Sequence, residues 1–297
     1  MIRVGSILVP VDFSEPSKIA VNYGLSFALE FDSRLILAHI APFDPVAYEK
    51  AKADLLELIP VDCRERLNFE IIVKAGDVRA ELLGIVDEKK SDLVVMGTRG
   101  RSYFERLILG SVTDRLLRKL HVPVLTVSHL EVEKEIHKPG PVKLHRILYA
   151  TDLSEGSEEG LEFSIRLARG LDASLTVAHV FQSADAVLHG FETAAFLPDY
   201  ANEVRAQANE KLARMVGLVS DGRVPISTLL VDGVPYETIN ALAAQYKMDL
   251  IVINLQNKGR LERAVLGTTA ERVIRTASVP VLSLPLPATY ALRWAAA

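Results

Sequence analysis

A chain of 297 residues, 49% hydrophobic and 24% charged, has room for two globular domains of ordinary size, each able to bury its own core. Its formal net charge of -4 and pI near 6.0 argue against a general nucleic-acid-binding surface, and its one cysteine, Cys63, excludes an intrachain disulfide and carries no nucleophile signature. The opening MIRVGSILVPVD lacks the length and cleavage pattern of a signal peptide, and no apolar run is long enough to span a membrane, so a cytoplasmic protein is expected.

In chain order, short apolar runs predict strands at about 5–11, 34–40, 69–74, 92–96 and 123–127. A charged stretch ending in Pro139, Gly140 and Pro141 follows and reads as a linker over 131–143. Five more strands are predicted at about 145–151, 174–180, 225–231, 249–253 and 280–284. Helical patterns alternate with them. Ile19, Tyr23 and Phe27 form one stripe after the first strand, and Ala270, Val273, Ile274 and Ala277 form another before the last. Runs such as LVVM and LIVI are apolar throughout, as parallel strands buried on both faces require. Pro123 and Pro280 open the last strand of each set. Proline cannot donate to a ladder, so these strands are expected at sheet edges, where they could pair with each other.

The two sets are copies. SILVPVDFS (6–14) recurs as RILYATDLS (146–154), and SRLILAHI (33–40) as ASLTVAHV (173–180). SDLVVMG (91–97) recurs as MDLIVIN (248–254), ERLILGSVTDRLL (105–117) as ERAVLGTTAERVI (262–274), and HVPVLTVS (121–128) as SVPVLSLP (278–285). Five blocks in one order imply duplication. The domains are therefore 1–130 and 144–286, with a tail at 287–297. The offset between copies grows from 140 at Asp12 and Asp152 to 157 at Gly110 and Gly267, so the second copy has gained 17 residues, nearly all between Val180 and Val234. Within that segment a long helix is predicted from about Asp199, with Leu212, Met215, Val216 and Val219 as its apolar stripe. Phe191, Phe196, Leu197 and Tyr200 before it read equally as a lid or an oligomer contact.

The functional signal lies after the fourth strand, in MGTRGRSYFERLILGSVTDRLL. Two residues separate Gly97 from Gly100, nine separate Gly100 from Gly110, and Ser111 follows. Gly110-Ser111-Val112-Thr113 opens a helix whose first N–H groups have no internal partner and whose dipole favours an anion. Ser111 and Thr113 can add hydroxyl donors, and Arg99 and Arg101 bring positive charge. In a parallel sheet the crevice lies beyond the carboxyl ends of the strands, which sets Asp12 opposite this loop. Asp12 either accepts from ribose hydroxyls or caps the first helix, a role for which Ser14 competes. GxxxxGK[ST] and GxGxxG are both missing, which excludes P-loop and dinucleotide-binding readings.

At these residues the chain resembles the universal stress proteins of tandem type. Gly97, Gly100, Gly110 and Ser111 match the family's ATP-binding glycine pattern, and PVDFS, AHI and VPVLTV match its other blocks in nearly the whole chain. The resemblance implies two doubly wound, five-stranded parallel α/β domains of adenine nucleotide alpha hydrolase-like type, with strand order 3-2-1-4-5. It also implies pairing of last strands, supplied within one chain, with a homodimer of chains left open. It implies ATP, with or without Mg2+, held between strands one and four. Val11 and Ile40 are expected to line the adenine beside Pro10 and Met96, with Asp12 on the adenosine part and Gly97 near the ribose. Arg99, Gly100, Gly110, Ser111, Val112 and Thr113 are expected around the phosphates.

The second copy keeps Thr151, Asp152, Val180, Gly267, Thr268 and Thr269 as a weaker candidate set. Asn254 and Asn257 stand at its first two glycine positions, with side chains expected to take up ligand space; Gly259 is near but out of register. This half is expected to bind ATP weakly or not at all, and to serve instead as a pseudo-site or a partner surface. His39 and His179, at equivalent strand ends, are read as local hydrogen-bonders. His121, His129, His137 and His145 show no metal-ligand spacing. No lysine and no general base stand in the loop, so binding without fast turnover is expected, with no catalytic residue assigned. The leading function is an ATP-binding regulatory protein of the stress response. A slow ATPase or phosphotransferase and a nucleotide-independent interaction scaffold are the alternatives.

Overall fold

The structure is a computed structural model that describes residues 3–41, 44–98, 109–128, 140–154, 156–182, 197–255 and 267–285. The first half runs β1 (Ser6–Pro10), α1 (Glu15–Phe31), β2 (Arg34–Ala41), α2 (Pro45–Glu57), α3 (Val61–Arg64), β3 (Phe69–Ala75), α4 (Val78–Lys89), β4 (Leu93–Gly97), α5 (Ser111–Lys119) and β5 (Val124–Val127). The second runs β6 (Arg146–Thr151), α6 (Ser157–Gly170), β7 (Ser174–Phe181), α7 (Leu197–Val219), β8 (Ile226–Asp232), α8 (Pro235–Gln245), β9 (Leu250–Leu255), α9 (Thr268–Thr276) and β10 (Val281–Pro285). Arg99, Gly100, Arg101, His129, His137, Phe191, Phe196, Asn257, Gly259 and the tail lie outside the described residues, as do the side chains of Leu197 and Tyr200.

The ten strands form one sheet in the order β3-β2-β1-β4-β5-β10-β9-β6-β7-β8, which is 3-2-1-4-5 followed by its mirror. Pairing is parallel within each half. β5 and β10 are antiparallel, with Leu282 opposite Leu125 and Val281 opposite Thr126. The proline-opened strands are thus outermost in each half but inner strands of the joint sheet. Thr126 Oγ1 donates to the Val281 carbonyl at 3.1 Å, and Ser128 Oγ donates to the Ala277 carbonyl at 2.8 Å.

Successive strand residues point to opposite faces, so β1 feeds two cores. Ile7 and Val9 join the cluster of α1, where Ile19, Tyr23 and Phe27 are buried; Leu8 joins that of α4 and α5. Both clusters continue into the second half. In α7, Leu212 and Met215 are buried, with Val216 and Val219 packed against them. Each such side chain contributes about 1.5–3 kcal/mol. Short polar groups set the helix starts: Asp44 and Asp77 accept from Val46 N–H and Ala80 N–H at 3.0 Å, capping α2 and α4. Just before β6, Gly140 N–H donates to Asn22 Oδ1 at 3.0 Å and Val142 N–H to Ser26 Oγ at 2.5 Å, so this part of the linker lies on α1.

Candidate functional site

The site is built where β1 and β4 end. After β1 the chain turns sharply, with Phe13 at φ 62. That left-handed conformation costs a non-glycine residue about 1–2 kcal/mol. Asp12 holds the turn by accepting from Ser14 N–H at 3.0 Å and Ser14 Oγ at 2.5 Å. Ser14 is the N-cap residue of α1, yet its own side chain makes no capping bond. The Asp12 carboxylate organises the turn and lines the cavity. Beside it, His39 Nδ1 is 2.7 Å from the Val11 carbonyl. A carbonyl only accepts, so Nδ1 carries the proton. Phe13 packs on the His39 ring with centroids 4.8 Å apart. The local role expected for His39 is the observed one, and His179 repeats it on Thr151 at 2.8 Å.

At the end of β4, a Cβ added to Gly97 would lie 2.9 Å from Pro16 Cβ and 3.1 Å from the Pro16 carbonyl carbon. Glycine is required there because α1 approaches closely, a reason separate from any ligand. The chain returns at Leu109, and Gly110 N–H donates to the Thr98 carbonyl at 2.9 Å. Gly110, at φ −59 and ψ 141, is the N-cap of α5 and supplies no capping side chain. The amides of Ser111, Val112 and Thr113 therefore have no intrahelical acceptor. Thr113, buried, donates its hydroxyl hydrogen to the Gly97 carbonyl at 3.0 Å. It straps α5 to β4, so its hydroxyl is committed to the fold, while Ser111 lines the cavity.

These elements enclose a cavity of about 270 Å³, near the small end of small-molecule sites. Ten of the residues singled out in the sequence line it: Pro10, Val11, Asp12, Ile40, Met96, Gly97, Gly110, Ser111, Val112 and Thr113. Ser17, Ala38, His39, Val78 and Leu82 complete the lining. Val78 and Leu82 escaped the sequence reading; their signal was an i, i+4 apolar pair at the start of α4. The wall around Ala38, Ile40, Leu82 and Met96 is apolar, and the polar groups gather at Asp12 and the first turn of α5. Among the described residues no three His, Cys, Asp or Glu side chains are grouped to hold a metal, and no helix is long and apolar enough to cross a membrane.

The universal stress protein family profile matches residues 4–128 and again 143–285. The chain belongs to the universal stress protein family. It is 29% identical over 137 residues to a universal stress protein of Methanocaldococcus jannaschii, a match covering 41% of this chain and 81% of the relative. It is 28% identical over 215 residues to the universal stress protein E homolog of Haemophilus influenzae, covering 67% of this chain and 63% of that one. Among solved structures, a universal stress protein from Archaeoglobus fulgidus superposes with a TM-score of 0.63 at 22% identity, covering 94% of this chain and 98% of that one. A protein of unknown function from Pseudomonas aeruginosa gives 0.69 at 18% identity, covering 98% and 95%.

The second universal stress protein unit repeats the first turn. Leu153 has φ 56, and Asp152 Oδ1 accepts from Ser154 N–H at 3.0 Å, Ser154 Oγ at 2.5 Å and Ser157 Oγ at 3.2 Å. Thr151 Oγ1 accepts from Leu153 N–H at 3.1 Å, and Val180 packs on the second core. Gly267 is the N-cap of α9, which Thr268 and Thr269 open, again with no capping side chain. The expectation for Asn254 needs correction. Its side chain leaves the ligand face and turns toward α6, where Nδ2 donates to Tyr149 Oη at 3.1 Å and the Gly156 carbonyl at 3.2 Å. The Tyr149 hydroxyl, its pKa pushed up by burial, stays protonated and donates to the Ser157 carbonyl at 2.8 Å. Space exists because Gly156 and Gly160 stand where the first half has Pro16 and Ala20.

Proposed function

We propose that the first half binds ATP and that nucleotide occupancy tunes an interaction surface, making this a regulatory protein of the stress response. One observation carries the reading: a single cavity brings Asp12 face to face with the uncapped first turn of α5. The residues present suit the ligand. Ala38, Ile40, Leu82 and Met96 offer an apolar slot for a purine. Asp12 can accept from ribose hydroxyls. The amides of Ser111, Val112 and Thr113, with the Ser111 hydroxyl, suit a polyphosphate, and Arg99 and Gly100 stand in the sequence between β4 and α5. The antiparallel pairing of β5 with β10 supports the two halves acting as an internal dimer. Nucleotide released on denaturing gently purified protein tests the reading: about one ATP or ADP per chain is expected. Protein that emerges empty and gives no heat with added ATP refutes it.

A further inference from the structure

In the first half, α4 and α5 supply two walls of the cavity, through Val78 and Leu82 on one and Val112 on the other. The equivalent helices of the second half, α8 and α9, are fastened to each other. The Arg272 guanidinium lies over the Tyr236 ring, 4.8 Å from its centroid. One turn farther along, Asn240 Nδ2 donates to Thr276 Oγ1 at 2.7 Å, and Thr276 Oγ1 in turn donates to the Arg272 carbonyl at 2.7 Å. Tyr236, like Val180, also packs against the core cluster that includes Ile253. At the 157-residue offset the first half has Arg79 for Tyr236, Arg115 for Arg272, Leu83 for Asn240 and Lys119 for Thr276. Two arginines repel, and leucine offers lysine no hydrogen bond, so neither fastening can form there.

We propose that the Tyr236–Arg272 stack and the Asn240–Thr276 hydrogen bond are an autoinhibitory clasp that holds the second crevice closed to nucleotide. The proposal rests on the reading of the first crevice as an ATP site. Asn254 does not supply the block, because its side chain is engaged on the α6 face. Two described parts of the second crevice are retained: Asp152 in its turn, and Gly267-Thr268-Thr269 opening α9 with no capping side chain. A cation–π contact and a hydrogen bond of this kind together shift a closed-to-open balance by on the order of tenfold or more.

The test counts ATP bound per chain by equilibrium dialysis. Tyr236→Arg with Asn240→Leu installs residues that already occupy the matching first-half positions, and Arg272→Ala breaks the stack in a second, separate way. Gly110→Trp silences the first crevice at a backbone conformation open to any residue. At an ATP concentration that just fills the first crevice, expected values are about one equivalent for the unmodified chain, a second equivalent bound with about tenfold tighter apparent affinity in either clasp variant, none for Gly110→Trp, and one for Gly110→Trp combined with a clasp variant. Two equivalents in the unmodified chain overturn the clasp, as do clasp variants that melt like the unmodified chain yet gain no equivalent. An unmodified chain that binds none, while a clasp variant binds one, refutes the first-half reading and leaves the clasp standing.

Discussion

Gly160→Ala should destabilise the second half, although alanine favours a helix over glycine by about 1 kcal/mol. Gly160 lies in the first turn of α6, and an added Cβ would come 2.4 Å from Asn254 Oδ1, 2.5 Å from Tyr149 Oη and 2.8 Å from Asn254 Nδ2. None of these atoms is the free end of a flexible side chain. Tyr149 is fully buried and hydrogen-bonded at its hydroxyl, and the Asn254 amide is tied to two acceptors. Overpacking costs about 1–3 kcal/mol, and displacing Asn254 strands buried polar groups at about 1–3 kcal/mol. After subtracting the helix gain, the net loss is about 1–5 kcal/mol. At roughly 2–4 °C per kcal/mol for a unit of this size, calorimetry should show the transition of the second half several degrees lower. Asn254→Gly in the same chain restores the glycine–alanine combination of the first half, Gly97 with Ala20, and should recover at least half of the loss. A Gly160→Ala protein that melts at or above the unmodified chain would refute this reasoning. So would a double variant no more stable than Gly160→Ala alone.

Thr113→Val removes the strap to the part-buried Gly97 carbonyl, at about 0.5–1.5 kcal/mol. ATP affinity by calorimetry should fall several-fold, and Thr113→Ser should keep most of it. Ser283 Oγ is buried at the β5–β10 junction with no partner among the described residues. In urea titrations Ser283→Ala should therefore be neutral or stabilising by up to about 1 kcal/mol, whereas Thr126→Val, which loses its bond to the Val281 carbonyl, should cost about 1 kcal/mol. Asp77, the N-cap of α4, has its carboxyl pKa held below the usual aspartate value, chiefly by Ala80 N–H. A pKa lower in the folded than in the unfolded state means stability that is present above the unfolded value and lost as pH falls through the folded one. Circular-dichroism melts should show Asp77→Asn shrinking the difference in stability between neutral pH and pH about 3; an unchanged difference counts against the cap.

The chain's local patterns determined much of this protein without any structure. Duplication, strand positions to within a residue or two, and the helix start at Ser111 were readable because apolar periodicity, glycine and proline act over a few residues. The mirror order of the strands and the cavity around Asp12 and Gly110 followed from family resemblance added to that pattern. Tertiary structure alone decided what depends on residues far apart in the chain. Gly97 is glycine because Pro16 presses on it, and Asn254 turns to α6 because Gly160 leaves room. Thr113 is spent on a carbonyl of β4, and Tyr236 meets Arg272 only once α8 and α9 pack side by side. Such contacts leave no periodic trace, since each is set by the distance between two segments that the fold has to bring together first.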